Sequence, residues 1–234
     1  MNEESRITEL EEKIEYHFQN RELIREALTH SSYANERKIR KIDCNERLEF
    51  LGDAILEQQT SIYLFRQYAK MPEGQLSKLR AALVCETALA RVAEKLGLGA
   101  LLFLGKGEDA QGGRKKPSLT SDAVEALIGA LYLDGGEEAA HAFIMRYVLV
   151  DVKEKEKESM DYKSRLQELI QAENHGTISY RVTGEYGPEH EKVFEVELAV
   201  NQKVISTGRG KNKKAAEQAA AHAALEQLKT TDGE

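Results

Sequence analysis

Along residues 1–150 the apolar positions recur at steps of three and four. Ile7, Leu10, Ile14 and Phe18 form one stripe, and Leu23, Ile24, Ala27 and Leu28 form another. That is the period of an amphipathic helix with one buried face. The same pattern predicts helices over 45–69, 74–96, 118–134 and 137–149, with breaks at Met71-Pro72, Gly97-Leu98-Gly99, 105–117 and Gly135-Gly136. No stretch of this region alternates as a strand would, so an all-α domain over 1–150 is expected.

Residues 151–160, DVKEKEKESM, are almost wholly charged with mixed signs and are expected to be a solvated linker or a frayed helix. Beyond them the pattern changes. Leu166, Leu169 and Ile170 mark a short helix. Ile178, Tyr180 and Val182 then alternate, as do Phe194, Val196, Leu198 and Val200, with Glu195 and Glu197 on the other side. Val204–Thr207 reads as a third strand ended by Gly208-Arg209-Gly210, and Asn212 can cap an Ala-rich helix running to about Leu228. The order α-β-β-β-α over 161–230 predicts a small α+β domain with its helices on one face of an antiparallel sheet. The chain is therefore expected to be multidomain.

Composition narrows the classes. No apolar run approaches the roughly 18 residues of a membrane span, and the polar, acidic start MNEESRITEL does not look like a secretory signal. Cys44 and Cys85 are the only cysteines, which excludes a disulfide scaffold and suits a reducing, cytoplasmic setting. The net charge of −7 weighs mildly against a polyanionic partner. Its distribution removes that weight: residues 161–229 carry ten basic and ten acidic side chains, and Arg209, Lys211, Lys213 and Lys214 place four cations in six residues.

The acids of the first region are equally local. In NERLEFLGDAIL (45–56), Glu46, Glu49 and Asp53 stand at i, i+3 and i+7. At about 100° per residue they share one face of a helix within about 60°. An ordinary wet face would explain them. However, three like charges with only Arg47 nearby repel one another, and Phe50 projects beside them. A second pair, Asp122 and Glu125, lies at i and i+3. Ser121 could cap that helix, which would make Asp122 a first-turn acid suited to the helix dipole. If the two helices pack together, four carboxylates converge in an all-oxygen site suited to Mg²⁺ or Mn²⁺. Glu73, between Pro72 and Gly74, reads as a turn acid, and His30 beside Ser31 and Ser32 reads as structural.

These segments resemble the bacterial ribonuclease III family. NERLEFLGDAIL carries its signature, SDAVEALIGALYLDGG (121–136) its second acidic motif, and THSSYANE (29–36) and PEGQLSKLRAALV (72–84) further segments in the expected order. Residues 161–229 resemble the double-stranded-RNA-binding domain that follows the nuclease domain. The resemblance implies a Mg²⁺-dependent endonuclease (Mn²⁺ substituting) that hydrolyses phosphodiester bonds in double-stranded RNA. Its products carry 5′-phosphate and 3′-hydroxyl ends, and its roles lie in processing ribosomal-RNA precursors and other structured RNAs. Glu49, Asp53, Asp122 and Glu125 match the catalytic metal-holding positions, and Glu46 and Glu73 match acids near the site or the subunit interface. Phe50 matches a residue packed across a homodimer interface. Gln58, Gln59 and Ser121 depart from the usual residues, and none of them replaces an acid.

A-form RNA hides its base edges and displays phosphates and 2′-hydroxyls, so a duplex reader needs spaced contacts more than a base code. The resemblance assigns one contact to Gln167 and Glu168 on the first helix and a second to the loop containing His190. It assigns the third to Lys211, Lys213 and Lys214 at the last helix's start, where backbone amides also favour phosphate. Two other functions fit the same fold: an RNA-holding module that has lost catalysis, and a structural dimer in a ribonucleoprotein. A missing carboxylate would mark the first of these, and none is missing.

Overall fold

The computed structural model describes residues 2–38, 44–159, 162–172, 176–188 and 191–231. They form two compact units, Met1–Ser159 and Met160–Glu234.

The first unit is helical: α1 (Glu3–Ile14), α2 (Arg21–Leu28), α3 (Ser31–Arg37), α4 (Glu46–Gln67), α5 (Glu73–Val84), α6 (Glu86–Leu96), α7 (Leu98–Leu101), α8 (Lys106–Ala110), α9 (Pro117–Phe143) and α10 (Val152–Ser159). The apolar stripes of the sequence become its core. Ile7, Leu10, Ile24, Leu56, Leu64, Leu89 and Leu127 are fully buried in one cluster. Helices α4 and α9 lie together at the centre, with α2 and α6 against α9 and α5 against α4. Asp134 ties α9 to the start of α2, accepting hydrogen bonds from the Tyr16 hydroxyl (2.7 Å) and from the Gln19 and Asn20 amides.

Three local details differ from the sequence pattern. The stretch 74–96 is two helices, because Cys85 adopts an extended backbone (φ −70°, ψ 157°) and its carbonyl starts α6 by accepting from Ala88 and Leu89. Helix α9 begins at Pro117, whose fixed φ suits a first helical position. Ser121 therefore sits inside the helix as a buried residue donating to the Ser118 carbonyl (2.8 Å), and it caps nothing. The expected break at Gly135-Gly136 is present: Gly136, at φ 72°, interrupts α9. Finally, the charged run expected as a solvated linker or a frayed helix holds α10. Val152 is buried, the helix packs on α5, and Glu156 accepts from the Tyr68 hydroxyl at 2.9 Å.

The second unit is α11 (Tyr162–Ala172), β1 (Ile178–Tyr186), β2 (Val193–Val200), β3 (Lys203–Gly210) and α12 (Lys213–Thr231). The sheet is antiparallel in the order β1-β2-β3, pairing Val182 with Val196 and Glu195 with Arg209. Leu198 packs with Leu166, Ile170, Ala220, Ala221, Ala224 and Leu225, so the Ala-rich face of α12 and the apolar face of α11 form the core. Strand β3 outlasts the expected stop. Gly208 and Gly210 stay in the strand because the α12 backbone presses on them, and a Cβ at either would overlap the main chain at Ala216 or Ala220.

Candidate metal centre and nucleic-acid interface

Two glycines build the acidic site. Glycine inside a helix costs about 1 kcal/mol relative to alanine, so its presence there needs a packing reason. A Cβ on Gly52 of α4 would fall on the Glu125 carbonyl of α9. A Cβ on Gly129 of α9 would fall on the Leu48 carbonyl of α4. The two backbones can touch only because both side chains are missing. That contact sets Glu49, three residues before Gly52, beside Asp122 and Glu125, and one oxygen from each of the three carboxylates lies within 4.8 Å of the others. All three side chains are half-buried.

No Lys or Arg pairs with the three acids among the described residues, and their ionisation responds accordingly. Burial, then the charges of Asp53, Glu49 and Asp122, push the Glu125 carboxyl up to about 7. Burial, then Asp122, Glu46 and Asp53, raise Glu49. Asp122 is raised by burial and by Glu86, against lowering by the Ser121 hydroxyl and by His30. It is the sixth residue of α9, too far along for the helix dipole to account for it. Uncompensated carboxylates at these separations form a donor set for a hard divalent cation with oxygen ligands.

The remaining expected residues divide. Asp53 is exposed and stands outside the tight trio, though its charge acts on both Glu49 and Glu125. Glu46 is exposed and bears on Glu49. Glu73 is not part of the cluster: it opens α5 and accepts from the Ser77 hydroxyl (2.7 Å). Phe50 is 81% exposed and Phe65, further along α4, is 74% exposed. His30 caps α3 through its ring nitrogen. Gln59, a departure from the family pattern, is a satisfied buried amide that donates to Glu137 (2.9 Å) and accepts from His141 (2.9 Å). Sequence reasoning missed Glu86 and both helix-packing glycines. The available signal was Gly129, four residues after Glu125 and therefore on the same helix face.

In the second unit Gln167 and Glu168 are exposed on α11, and Lys211, Lys213 and Lys214 are exposed around the start of α12. Asn212 caps that helix as expected, its side chain accepting from the Ala215 amide at 2.8 Å. The Lys213 ammonium lies 5.8 Å from the centre of the Phe194 ring. Gly187, at φ 87°, begins the loop after β1. His190 lies outside the described residues.

Comparison with known proteins gives a consistent result. A family model described as "Ribonuclease-III-like" matches residues 20–152, and one described as "Double-stranded RNA binding motif" matches residues 162–228. The chain is 50% identical to a protein named Ribonuclease 3 from Shouchella clausii over 89% of this chain and 80% of the relative. It is 47% identical to Ribonuclease 3 of Geobacillus kaustophilus over 97% of this chain and 93% of that one. Among solved structures, a nuclease domain of ribonuclease III from Campylobacter jejuni is 45% identical, with a TM-score of 0.57, and covers 61% of this chain and 96% of its own. That nuclease domain is described as structurally flexible in a region involved in dimer formation.

Proposed function

The chain belongs to the ribonuclease III family and is an endonuclease of double-stranded RNA, and we propose that Glu49, Asp122 and Glu125, with Asp53 beside them, hold the Mg²⁺ ions its cleavage requires. The observation that carries this assignment is the convergence of three carboxylates with which no Lys or Arg pairs among the described residues. A bound Mg²⁺ supplies Lewis acidity, lowering the pKa of water and offsetting charge on the phosphate under attack. Mn²⁺ fits the same oxygen donors.

The chain's own residues do the positioning. Because α4 and α9 touch through Gly52 and Gly129, the carboxylates are fixed by two packed backbones rather than by flexible loops. Glu125, with its carboxyl at about 7, is partly protonated near neutrality in the metal-free protein and gives up that proton when a cation binds. Until then the cluster repels the polyanionic substrate, so a cation is needed both to admit the phosphodiester and to cleave it.

Residues 1–150 are proposed as the nuclease domain and 161–230 as the duplex-binding domain. The latter presents Gln167, Glu168 and His190 to minor grooves and Lys211, Lys213 and Lys214 to the phosphates between them. Hydrolysis leaves 5′-phosphate and 3′-hydroxyl ends. Two copies act as a homodimer in the cytoplasm, on ribosomal-RNA precursors and other structured transcripts. The exposure of Phe50 and Phe65 on α4 supports a second copy covering that face, with Glu46 and Glu73 near it. The test is incubation of a long RNA duplex with Mg²⁺ and either the parent or Glu125→Gln. Cleavage by the parent, with binding but no cleavage by the variant, is expected. A variant that cuts as fast as the parent would remove Glu125 from the site.

A further inference from the structure

His30 presents a hydrogen-bond donor that the fold orients and does not use. The Ser32 amide donates to its Nδ1 at 3.2 Å, and a backbone N–H can only donate, so Nδ1 must carry its lone pair. The Ser32 hydroxyl lies 2.8 Å from the same nitrogen and itself accepts from the Gly105 amide at 2.9 Å, which turns its proton toward Nδ1. The proton of the neutral ring therefore sits on Nε2. Among the described residues Nε2 meets no hydrogen-bond partner.

Main-chain bonds hold His30 near the end of α4 that carries the acidic cluster. The His30 amide donates to the Phe103 carbonyl (3.1 Å), and the neighbouring Thr29 carbonyl accepts from Asn45 (2.9 Å). The Asn45 carbonyl in turn accepts from the Glu49 amide (2.8 Å). His30 thus stands at the end of α4 that carries Glu49, within electrostatic reach of both Asp122 and Glu108. Neither acid takes its proton: Asp122 faces the cluster, and Glu108 is engaged by Lys116. A fixed, unused N–H on a residue within electrostatic reach of Asp122 is suited to a phosphate oxygen brought to the carboxylates.

We propose that His30 contacts the substrate, its Nε2–H donating to a non-bridging oxygen of the RNA phosphodiester lying over Glu49, Asp122 and Glu125. This rests on the metal-centre assignment above, and it uses the neutral ring, so it does not depend on His30 gaining charge. The interaction helps hold the phosphate in line for attack, offsetting part of the repulsion from the acids.

Two substitutions separate this role from the capping of α3. The amide of His30→Asn has its oxygen near the position of Nδ1 and keeps an acceptor for the Ser32 amide, but it lacks a donor at Nε2. The amide of His30→Gln reaches the Nε2 position and gives up the cap. At pH 8, with saturating Mg²⁺ and a defined RNA duplex, single-turnover cleavage should fall about ten- to a hundredfold in His30→Asn with its Tm near that of the parent. His30→Gln should recover most of that loss in rate while showing the lower Tm. Mn²⁺ affinity without RNA should match the parent in both. The proposal is overturned if His30→Asn cleaves like the parent, if rate follows Tm across the two variants, or if Mn²⁺ affinity falls in step with rate. A variant with Glu49, Asp122 and Glu125 all replaced that still cleaves normally would instead remove the metal-centre assignment itself.

Discussion

In the first unit the carboxylates of Glu49, Asp122 and Glu125 face one another with no lysine or arginine between them. On the sheet of the second unit Arg181 pairs with Glu197 at 2.8 Å and Arg209 with Glu195 at 2.7 Å, and Lys192 pairs with Glu185 at 2.9 Å. Both units contain many charges, and both use glycine to press a helix against a neighbouring backbone: Gly52 and Gly129 in one, Gly208 and Gly210 in the other. They differ in how those charges are satisfied. Charges paired within the fold are already served and need no ligand. Charges held together without partners cost stability, and something absent from the free chain must offset that cost. The second unit has its own version at the start of α12, where Lys211 and Lys214 extend from a capped helix terminus toward solvent.

The contrast can be broken most severely at the backbone contact. Gly52→Ala would drive a methyl into the Glu125 carbonyl. It should destabilise the protein by about 3 kcal/mol and abolish both Mn²⁺ binding and duplex cleavage, read by calorimetry and gel assay. Gly74→Ala, where a Cβ meets nothing within 4 Å, is the control and should do neither. Next come the exposed lysines at the start of α12. Replacing Lys213 and Lys214 together with alanine should reduce the slope of log affinity against log salt by roughly 2 for duplex RNA, with Mn²⁺ binding unchanged. An unaltered slope would take those lysines out of phosphate contact.

A smaller effect follows from Glu125. Its carboxyl stands at about 7 in the folded, metal-free chain against an ordinary 4.5. The folded state therefore holds the proton more tightly than the unfolded state, and stability from this group is lost as pH rises from about 4.5 through 7. Glu125→Gln should accordingly raise the metal-free Tm at pH 8 by a few degrees and change it little at pH 4.5. Equal shifts at both pH values would contradict the shifted carboxyl. Smallest of all, Arg181→Ala removes one half of an exposed ion pair and should alter stability by less than about 1 kcal/mol, leaving cleavage intact.

Much of this contrast was legible in the sequence, for identifiable reasons. The three-four period and the strict alternation of Phe194 to Val200 fixed the helices and strands, because burial of one face dictates those repeats. Glu46, Glu49 and Asp53 could be placed on one helix face by spacing alone. Whether that face met Asp122 and Glu125 depended on a contact between α4 and α9, which periodicity does not encode. The split at Cys85 was invisible because no Gly or Pro marks it and the break lies in one backbone angle. Gly208 and Gly210 were read as a strand end because glycine has two uses, turning a chain and admitting a close neighbour. Only the position of α12 distinguishes them. Residues 152–159 read as a linker or a frayed helix because the run is nearly all charge; buried Val152 and Glu156, which accepts from the Tyr68 hydroxyl, help to anchor it.

The central claim is that unpartnered carboxylates on two touching helices hold the divalent ion that cleavage needs. Its most direct test is Mn²⁺ binding to the RNA-free protein, followed by electron paramagnetic resonance, in the parent and in Glu125→Gln. The parent should show saturable binding that Mg²⁺ competes away, weakened at least tenfold in the variant. Indistinguishable binding curves for the two proteins would contradict the claim.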